Sequence, residues 1–322
     1  MNRIIVSTLA ALALAVAVPA TAQDYPDRTV TIVVPYAPGG IADIAARTLG
    51  DALSRKWDQE VVVDNRTGGA GFIAAATVKR APPDGYTLFV ADAGVLAVNG
   101  YLFESVPYNA AADFKPVTMI SDTPLVLVAN SDAPFDTPEE YVAHAKQNPG
   151  TISYASAGIG SLNHIVPEWI NAVAGIDAAH IPFRGGAPAA TAVASGEAQV
   201  GVLSLSSIAP FVESGELKIL GLARDERVDN HPDVPTLDES GIPGVAAGQW
   251  AGLVAPAGVP DEVFRKITED SLEFLRSDEA REAFAERGAI VSPMEPGEFA
   301  ALIETLRGQF SDVIAEAGIS AD

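Results

Sequence analysis

Two serines and a histidine stand close together in Tyr154-Ala155-Ser156-Ala157-Gly158-Ile159-Gly160-Ser161, with His164 three residues beyond Ser161. A serine within reach of a histidine base is the minimum for nucleophilic acyl transfer. Neither serine has glycine at both flanking second positions, so the G-x-S-x-G elbow is not formed. A polar helix start facing a cleft is the better reading, and no catalytic residue is assigned. An exported serine hydrolase using Ser156 or Ser161 with His164 is kept as the rival. Metal chemistry has less support. His144, His164, His180 and His231 are scattered, no H-E-x-x-H spacing occurs, and cysteine is absent. No metal site and no disulfide framework are expected.

Gly69-Ala70-Gly71-Phe72-Ile73-Ala74 fits G-x-G-x-x-A behind a strand, the outline of a dinucleotide site. Asp64 to Thr67 separate that strand from the first glycine, and the motif follows the second strand rather than the first. No P-loop lysine accompanies it, so no cofactor is expected. Its physical content survives. A glycine-rich turn feeding a helix offers unpaired N–H groups and the positive end of the helix dipole to an anion. Pro38-Gly39-Gly40 before Ile41 and Gly158-Ile159-Gly160-Ser161 before Leu162 repeat the device. Three such turns at the carboxyl ends of strands predict an anion-binding cleft.

The elements that must position these turns alternate along the chain. Val30 to Val34 is a β-branched run closed by Pro35, Pro38, Gly39 and Gly40. Ile41 to Trp57 has helical spacing, with Ile41, Ile44, Ala45, Leu49 and Leu53 on one face. Val61-Val62-Val63 is a strand, Phe72 to Arg80 a helix, and Tyr86 to Ala91 a third strand after the turn Pro82-Pro83-Asp84-Gly85. Strands at 123–130, 152–155, 180–183, 199–203, 217–223 and 249–254 alternate with helices at 161–174, 187–195 and 208–214. Thr137-Pro138-Glu139-Glu140 opens another helix, with Thr at N-cap and Pro at N1. Two amphipathic helices, 261–287 and 296–317, close the chain. This rhythm predicts an α/β protein of two units, each a mainly parallel sheet flanked by helices.

Composition bounds the partners. The 322 residues carry 20 basic and 42 acidic side chains, a formal charge of −22, with 48% hydrophobic residues. Such a surface repels phosphate backbones, so no nucleic-acid partner is expected, and it argues against an anionic membrane surface. Any anionic ligand needs a local pocket. Arg3, the apolar run Ile4 to Val18 and Ala20-Thr21-Ala22 have the layout of a secretory signal peptide over residues 1–22. An exported, periplasmic chain is expected.

The sequence resembles the receptors of the tripartite tricarboxylate transporters, the Bug-type extracytoplasmic solute receptors. The likeness runs through Val33-Val34-Pro35-Tyr36-Ala37-Pro38-Gly39-Gly40, Val62-Val63-Asp64-Asn65-Arg66, Gly68 to Gly71 and Pro83-Asp84-Gly85-Tyr86. It continues in Tyr154 to Gly158, Gly160-Ser161, His164 and Pro182-Phe183-Arg184-Gly185-Gly186, and ends in Gly252 to Gly258. The resemblance implies a two-domain type II periplasmic binding protein fold that closes over a small carboxylate. It implies no catalysis, and delivery of ligand to membrane transporter subunits. One ligand carboxylate would be held by Pro38, Gly39 and Gly40 with Gly69, Ala70 and Gly71, and the second domain would add Ser156, Gly160, Ser161 and His164. Two departures stand out. Ile41-Ala42 occupies a place where many members carry Gly or Thr, and Leu203 stands where amino-acid binders carry an acid.

The expected organisation is 24–123 with 245–322 as one discontinuous domain and 124–244 as the other, in a monomer. Tyr36 and Phe183 are expected to flank an apolar ligand body, Ser204 to offer a hydroxyl, and Asp92 to be the one candidate countercharge for an ammonium. Without an acid at Leu203, the ligand is expected to be a carboxylate lacking an amino group. A periplasmic sensor with the same ligand is the third reading.

Overall fold

The computed structural model describes residues 25–228, 231–287, 289–319 and 321, so the expected leader at 1–22 lies outside the described residues. β1 (Val30–Val34), α1 (Ile41–Trp57), β2 (Val61–Asn65), α2 (Phe72–Arg80) and β3 (Thr87–Ala91) realise the expected rhythm. β1 lies between β2 and β3 and is parallel to both. α1 forms because its apolar stripe has a sheet to cover: Ile41, Ala45, Leu49 and Leu53 are all buried. Asp58, in the left-handed conformation, ends it.

The sequence assigns no element to the stretch after β3. It makes a π-helical turn at Gly94–Val98, then the short helices α3 (Asn99–Leu102) and α4 (Ala110–Asp113). The next strand, β4 (Phe114–Asn130), is 17 residues long, where the sequence suggested only 123–130. Pro116, Ser121, Asp122 and Pro124 interrupt its apolar pattern. β4 itself bulges at two register shifts, between Pro116 and Thr118 and between Met119 and Ser121, where two of its residues pass one of β9.

α5 (Pro138–Gln147) starts as expected, with Thr137 Oγ1 accepting from Glu140 N–H at 3.2 Å and Pro138 in the first turn. There follow β5 (Ser153–Ser156), α6 (Leu162–Ala174), β6 (Ala179–Pro182), α7 (Gly186–Ala194), β7 (Val200–Ser204), α8 (Leu205–Glu213) and β8 (Leu217–Leu222). β9 (Gly248–Pro256) leads to α9 (Asp261–Leu275), α10 (Asp278–Ala285), β10 (Ile290–Val291) and α11 (Pro296–Ala317). The single helix expected over 261–287 is two, because Ser277 Oγ accepts from Ala280 N–H and caps a new start.

The strand order is β2-β1-β3-β9-β4-β7-β5-β6, with β8 and β10 also on β4. β4 belongs to two sheets: residues 114–124 pair with β9, and residues 125–130 with β7 and β8. The α/β fold of two units is therefore present, each with its parallel strands. The sheets are mixed rather than mainly parallel, since β4 and β9 run antiparallel to their neighbours. A chain that passes from one unit to the other and back must run both ways at the crossing.

Ile32, Leu49, Leu88 and Phe284 fill one face of the first sheet, and Val126, Val128, Val193 and Leu222 one face of the second. A third cluster, including Phe89, Leu125, Tyr154, Ile165, Phe299 and Phe310, runs along both. Each fully buried side chain of this kind contributes about 1.5–3 kcal/mol. No helix among the described residues is long and apolar enough to cross a membrane.

Candidate functional site

Where the two units meet, the carboxyl ends of β1, β2, β5 and β6 surround a cavity of about 550 Å³. Strand ends are where an open α/β sheet leaves room for a ligand. From the first unit come Pro35, Tyr36, Gly68 to Ile73 and Phe103; from the second come Ala157, Gly158, Ile159, Pro182, Phe183 and Arg184. Of the expected ligand residues, Tyr36, Gly69, Ala70, Gly71 and Phe183 line it directly.

The Gly68–Gly71 turn is the densest backbone feature of the wall. Gly69, Ala70 and Gly71 all take positive φ, at 56°, 54° and 83°. This aims the start of α2 and the positive end of its dipole at the cavity, while Gly71 N–H donates to Gly68 O at 3.2 Å and Phe72 N–H to Gly69 O within the turn. Gly71 is required twice over. A side chain would strain the backbone, and its Cβ would lie 2.7 Å from Val95 Cγ2.

Pro38, Gly39 and Gly40 are placed differently. They do not line the cavity. Gly39 N–H donates to Asp43 Oδ2 at 3.0 Å, so the anion at this turn is the chain's own carboxylate. Burial alone would raise the Asp43 pKa, but hydrogen bonds from Arg47, Gly39 and Asn65 together hold it below the usual carboxylate value. The turn faces Gly186 and Ala187 of the second unit instead, and Ala37 N–H donates to Arg184 O across the seam at 3.0 Å.

Asp92 is 1% exposed and shielded behind Tyr36. Tyr36 Oη donates to its Oδ2 at 2.8 Å and Val95 N–H to its Oδ1 at 3.2 Å. Burial pushes the carboxyl pKa up. Asp92 is thus a buried anchor for the Tyr36 ring and the π-helical turn, set back from the cavity lining.

In the second unit, Ser156, Gly160, Ser161 and His164 build the frame of the wall rather than its surface. Gly158 N–H donates to Ser156 Oγ at 3.0 Å, and Ser156 Oγ and His180 Nε2 share a hydrogen bond of 2.6 Å. Ser161 Oγ donates to Gly158 O at 2.6 Å. Gly160 N–H donates to His164 Nδ1 at 3.3 Å. The Ser161–His164 pairing of the hydrolase reading is not formed. The serine–histidine contact present is Ser156–His180, and Ser156 is fully buried. His180 lies between Tyr154 and His164, with ring centroids 4.9 and 4.2 Å away. Burial lowers the His164 pKa to about 4; burial and the neighbouring His164 lower that of His180 to about 3. Both rings are neutral at pH 7.

Ser204 is also off the cavity, bonded to Ser206 and Ser207 at 3.2 and 2.8 Å at the start of α8. Among the described residues, no cluster of side chains fit to hold a metal ion occurs.

The structure adds residues the motif reading passed over. Phe72, Ile73, Phe103 and Ile159 supply apolar wall, and Arg184 supplies charge. Asn99 braces the glycine turn: its Nδ2 donates to Ala70 O at 2.8 Å. Arg184 was visible in the sequence as a basic residue beside the Gly185-Gly186 turn. Phe103 and Asn99 carry no sequence signal of their own, since they reach the site through an unexpected π-helical turn.

The model of the tripartite tricarboxylate transporter family receptor matches residues 45–319. The chain belongs to this receptor family. Protein BugT of Bordetella pertussis is 32% identical over 304 residues, covering 94% of this chain and 93% of BugT. Among solved structures, this receptor is similar to Rpa4515 of R. palustris with adipate, at TM-score 0.89 and 31% identity over 92% of this chain and 99% of that one. It is also similar to MatC (Rpa3494) of Rhodopseudomonas palustris with bound malate, at TM-score 0.85 and 30% identity over 90% of this chain and 100% of that one. The receptor fold and the mixed sheets described above are those of this family.

Proposed function

We propose that this receptor captures a small organic carboxylate in the cavity between its two units and delivers it to the membrane subunits of a tripartite tricarboxylate-type transporter. It does so in the periplasm, as a monomer without catalysis. The observation that carries the reading is the Gly68–Gly71 turn, where successive left-handed residues turn the start of α2 toward a cavity whose described lining contains no acidic side chain. A protein of net charge −22 can hold an anion there because the donors are backbone groups rather than a global field. The adipate of Rpa4515 and the malate of MatC support the ligand class.

The domains are 24–123 with 245–322, and 124–244, and they close over the ligand about the crossing strands β4 and β9. Arg3, the apolar run after it and Ala20-Thr21-Ala22 support export by a signal peptide over 1–22. An amine-free ligand fits best, since Asp92 is held by Tyr36 and Val95 behind the wall and Leu203 offers no charge.

Calorimetry against aliphatic and aromatic mono-, di- and tricarboxylates tests the reading on the wild-type chain and on Gly71→Val. The wild type should bind at least one acid, and the variant should lose that binding by ~10-fold or more while keeping a folded far-UV spectrum. Unchanged affinity in Gly71→Val would remove this turn from the site. Ester turnover by the wild type, abolished in Ser156→Ala, would instead support the hydrolase.

A further inference from the structure

A carboxylate is buried in the seam between the two units. Asp92 follows β3 directly, is 1% exposed, and stands just behind the cavity wall. Tyr36, which lines the cavity, donates its Oη to Asp92 Oδ2 at 2.8 Å. Val95, which packs under Gly71 of the glycine turn, donates its N–H to Asp92 Oδ1 at 3.2 Å. These partners are dipoles, and no basic side chain pairs with Asp92 among the described residues.

Part of its cover comes from the other unit. A Cβ on Gly94 would lie 3.2 Å from Asp92 Oδ1, and also 2.8 Å from Gly160 O and 3.4 Å from Ser161 Cα. The second unit's wall thus comes down beside the carboxylate with a carbonyl rather than a donor. The other groups around it bring no charge to offset its own. Behind Tyr36, Asn65 donates to Tyr36 O and to Asp43, whose charge Arg47 takes. Tyr108 Oη donates to Val95 O at 2.7 Å, and Arg307 of α11 is held by Leu96 O and Glu304. His164, which accepts Gly160 N–H, is neutral.

Two events therefore disfavour the charged form of Asp92. An anion at the Gly68–Gly71 turn adds a like charge close by, and closure of the units removes the water that would screen it. A protonated carboxyl escapes both.

We propose that closure over an anionic ligand drives a proton from solvent onto Asp92, so that the receptor takes up a proton with its ligand and binds carboxylates more tightly as the pH falls. This rests on the carboxylate reading above and adds a regulation of the same site. The sign follows from linkage: a proton held more tightly by the loaded, closed form is one that tightens loading. With the two units in contact, burial already holds the Asp92 carboxyl above its ordinary pKa, the direction required.

Calorimetry in buffers of different ionisation enthalpy counts the protons taken up per ligand, with adipate, malate and the tightest acid of the wider panel as probes. Between about pH 6 and 8, uptake by the wild type should grow as the pH falls, with Kd tightening at least ~3-fold. His164 and His180, at about 4 and about 3, stay neutral there. Asp92→Asn, which cannot titrate, should bind without this uptake and with a level Kd. Any proton taken up by the probe itself appears equally in both proteins. Wild-type binding without proton uptake overturns the proposal and leaves the carboxylate reading standing, as does uptake undiminished in Asp92→Asn. Should Asp92→Asn fail to fold, Tyr36→Phe decides instead. Losing a donor to the carboxylate should move the uptake profile to higher pH, and an unmoved profile overturns the proposal equally. Failure of every acid in the panel to bind would remove the carboxylate reading and this proposal together.

Discussion

His164 and His180 show how single residues hold the second unit's wall in shape without contributing charge to it. His164 Nδ1 accepts from Gly160 N–H, His180 Nε2 shares a hydrogen bond with Ser156 Oγ, and the two rings stack at 4.2 Å. A proton on either ring would place a charge in a buried stack, and one on His164 Nδ1 would remove the acceptor of Gly160 N–H. The pKa of His164, about 4 against an ordinary 6.5, carries a consequence for stability. The unfolded chain takes up this proton near its ordinary pKa, and the folded chain only about two units lower. Stability is therefore full above that ordinary value and declines as the pH falls from about 6.5 to about 4. His164 is 4% exposed, so the loss is on the order of 2–3 kcal/mol. Chemical denaturation across this range should show the decline in the wild type and a shallower one in His164→Gln. His180, lowered from the same 6.5 to about 3, adds to this decline and extends it to lower pH, which is why the variant's decline is shallower rather than absent; Asp43 does not enter the window. Its carboxyl is held below 3.8, so its contribution is lost only at still lower pH.

Among the elements, the π-helical turn Gly94–Val98 with α3 matters most to the cavity. It sits between the glycine turn and the second unit. Val95 packs under Gly71, and Asn99 Nδ2 donates to both Ala70 O and Tyr108 Oη, at 2.8 and 2.9 Å. On its other side the chain comes close enough to Gly160 that a Cβ there would stand 2.5 Å from Asn99 Oδ1. A regular α-helix in place of the widened turn would rotate Val95 and Asn99 relative to one another, and they could not both reach the glycine turn. Asn99→Ala should leave the Ala70 carbonyl without its partner. The expected cost is about 1–3 kcal/mol of stability with weaker carboxylate binding. Faster amide exchange at Ala70 to Phe72, with α1 unaffected, would place the effect in this brace; uniform acceleration would place it in the core.

For the whole molecule, motion of the two units against each other can be tested at one contact. The Pro38-Gly39-Gly40 turn meets the start of α7 so closely that a Cβ on Gly39 would stand 3.4 Å from Ala187 Cβ. That is near the ~3.5–4.5 Å spanned by disulfides. The chain has no cysteine of its own, so one introduced pair can form only one bridge. Oxidised Gly39→Cys/Ala187→Cys should scatter as the compact form with or without ligand and bind carboxylate far more slowly. The reduced protein should regain ligand-dependent compaction and faster binding, with Gly39→Cys alone as the reference because Gly39 has φ 93° and any side chain there strains the turn. Wild-type rates in the oxidised form would mean that the cavity fills without the two units separating.

Much of this protein is local, and local physics is what a sequence encodes. The β-branched run at Val30–Val34, the apolar stripe of α1, the Thr137-Pro138 start of α5 and the glycine turn at Gly68–Gly71 each follow from propensity and spacing within a few residues. With the motifs of the resemblance, they defined the fold class and pointed to Tyr36, Gly69, Ala70, Gly71 and Phe183, which do line the cavity. What the sequence could not determine depends on what arrives from far along the chain. β4 extends back to Phe114 because β9 pairs with it, a contact set by more than a hundred intervening residues. By contrast, the N–H of Gly39 is taken by Asp43 only four residues on, in the first turn of α1, a local contact that the reading of the turn as an anion site passed over. Ser156 finds His180 rather than His164 because β5 and β6 lie side by side, which puts the two in adjacent rows of one sheet. Asp92 ends a strand as expected, yet Tyr36 closes over it. Arg184 is one arginine among many until the meeting of two units leaves it as the charge on an apolar wall. Each of these long-range placements depends on which groups compete for the same partner, and that competition exists only once the chain has folded.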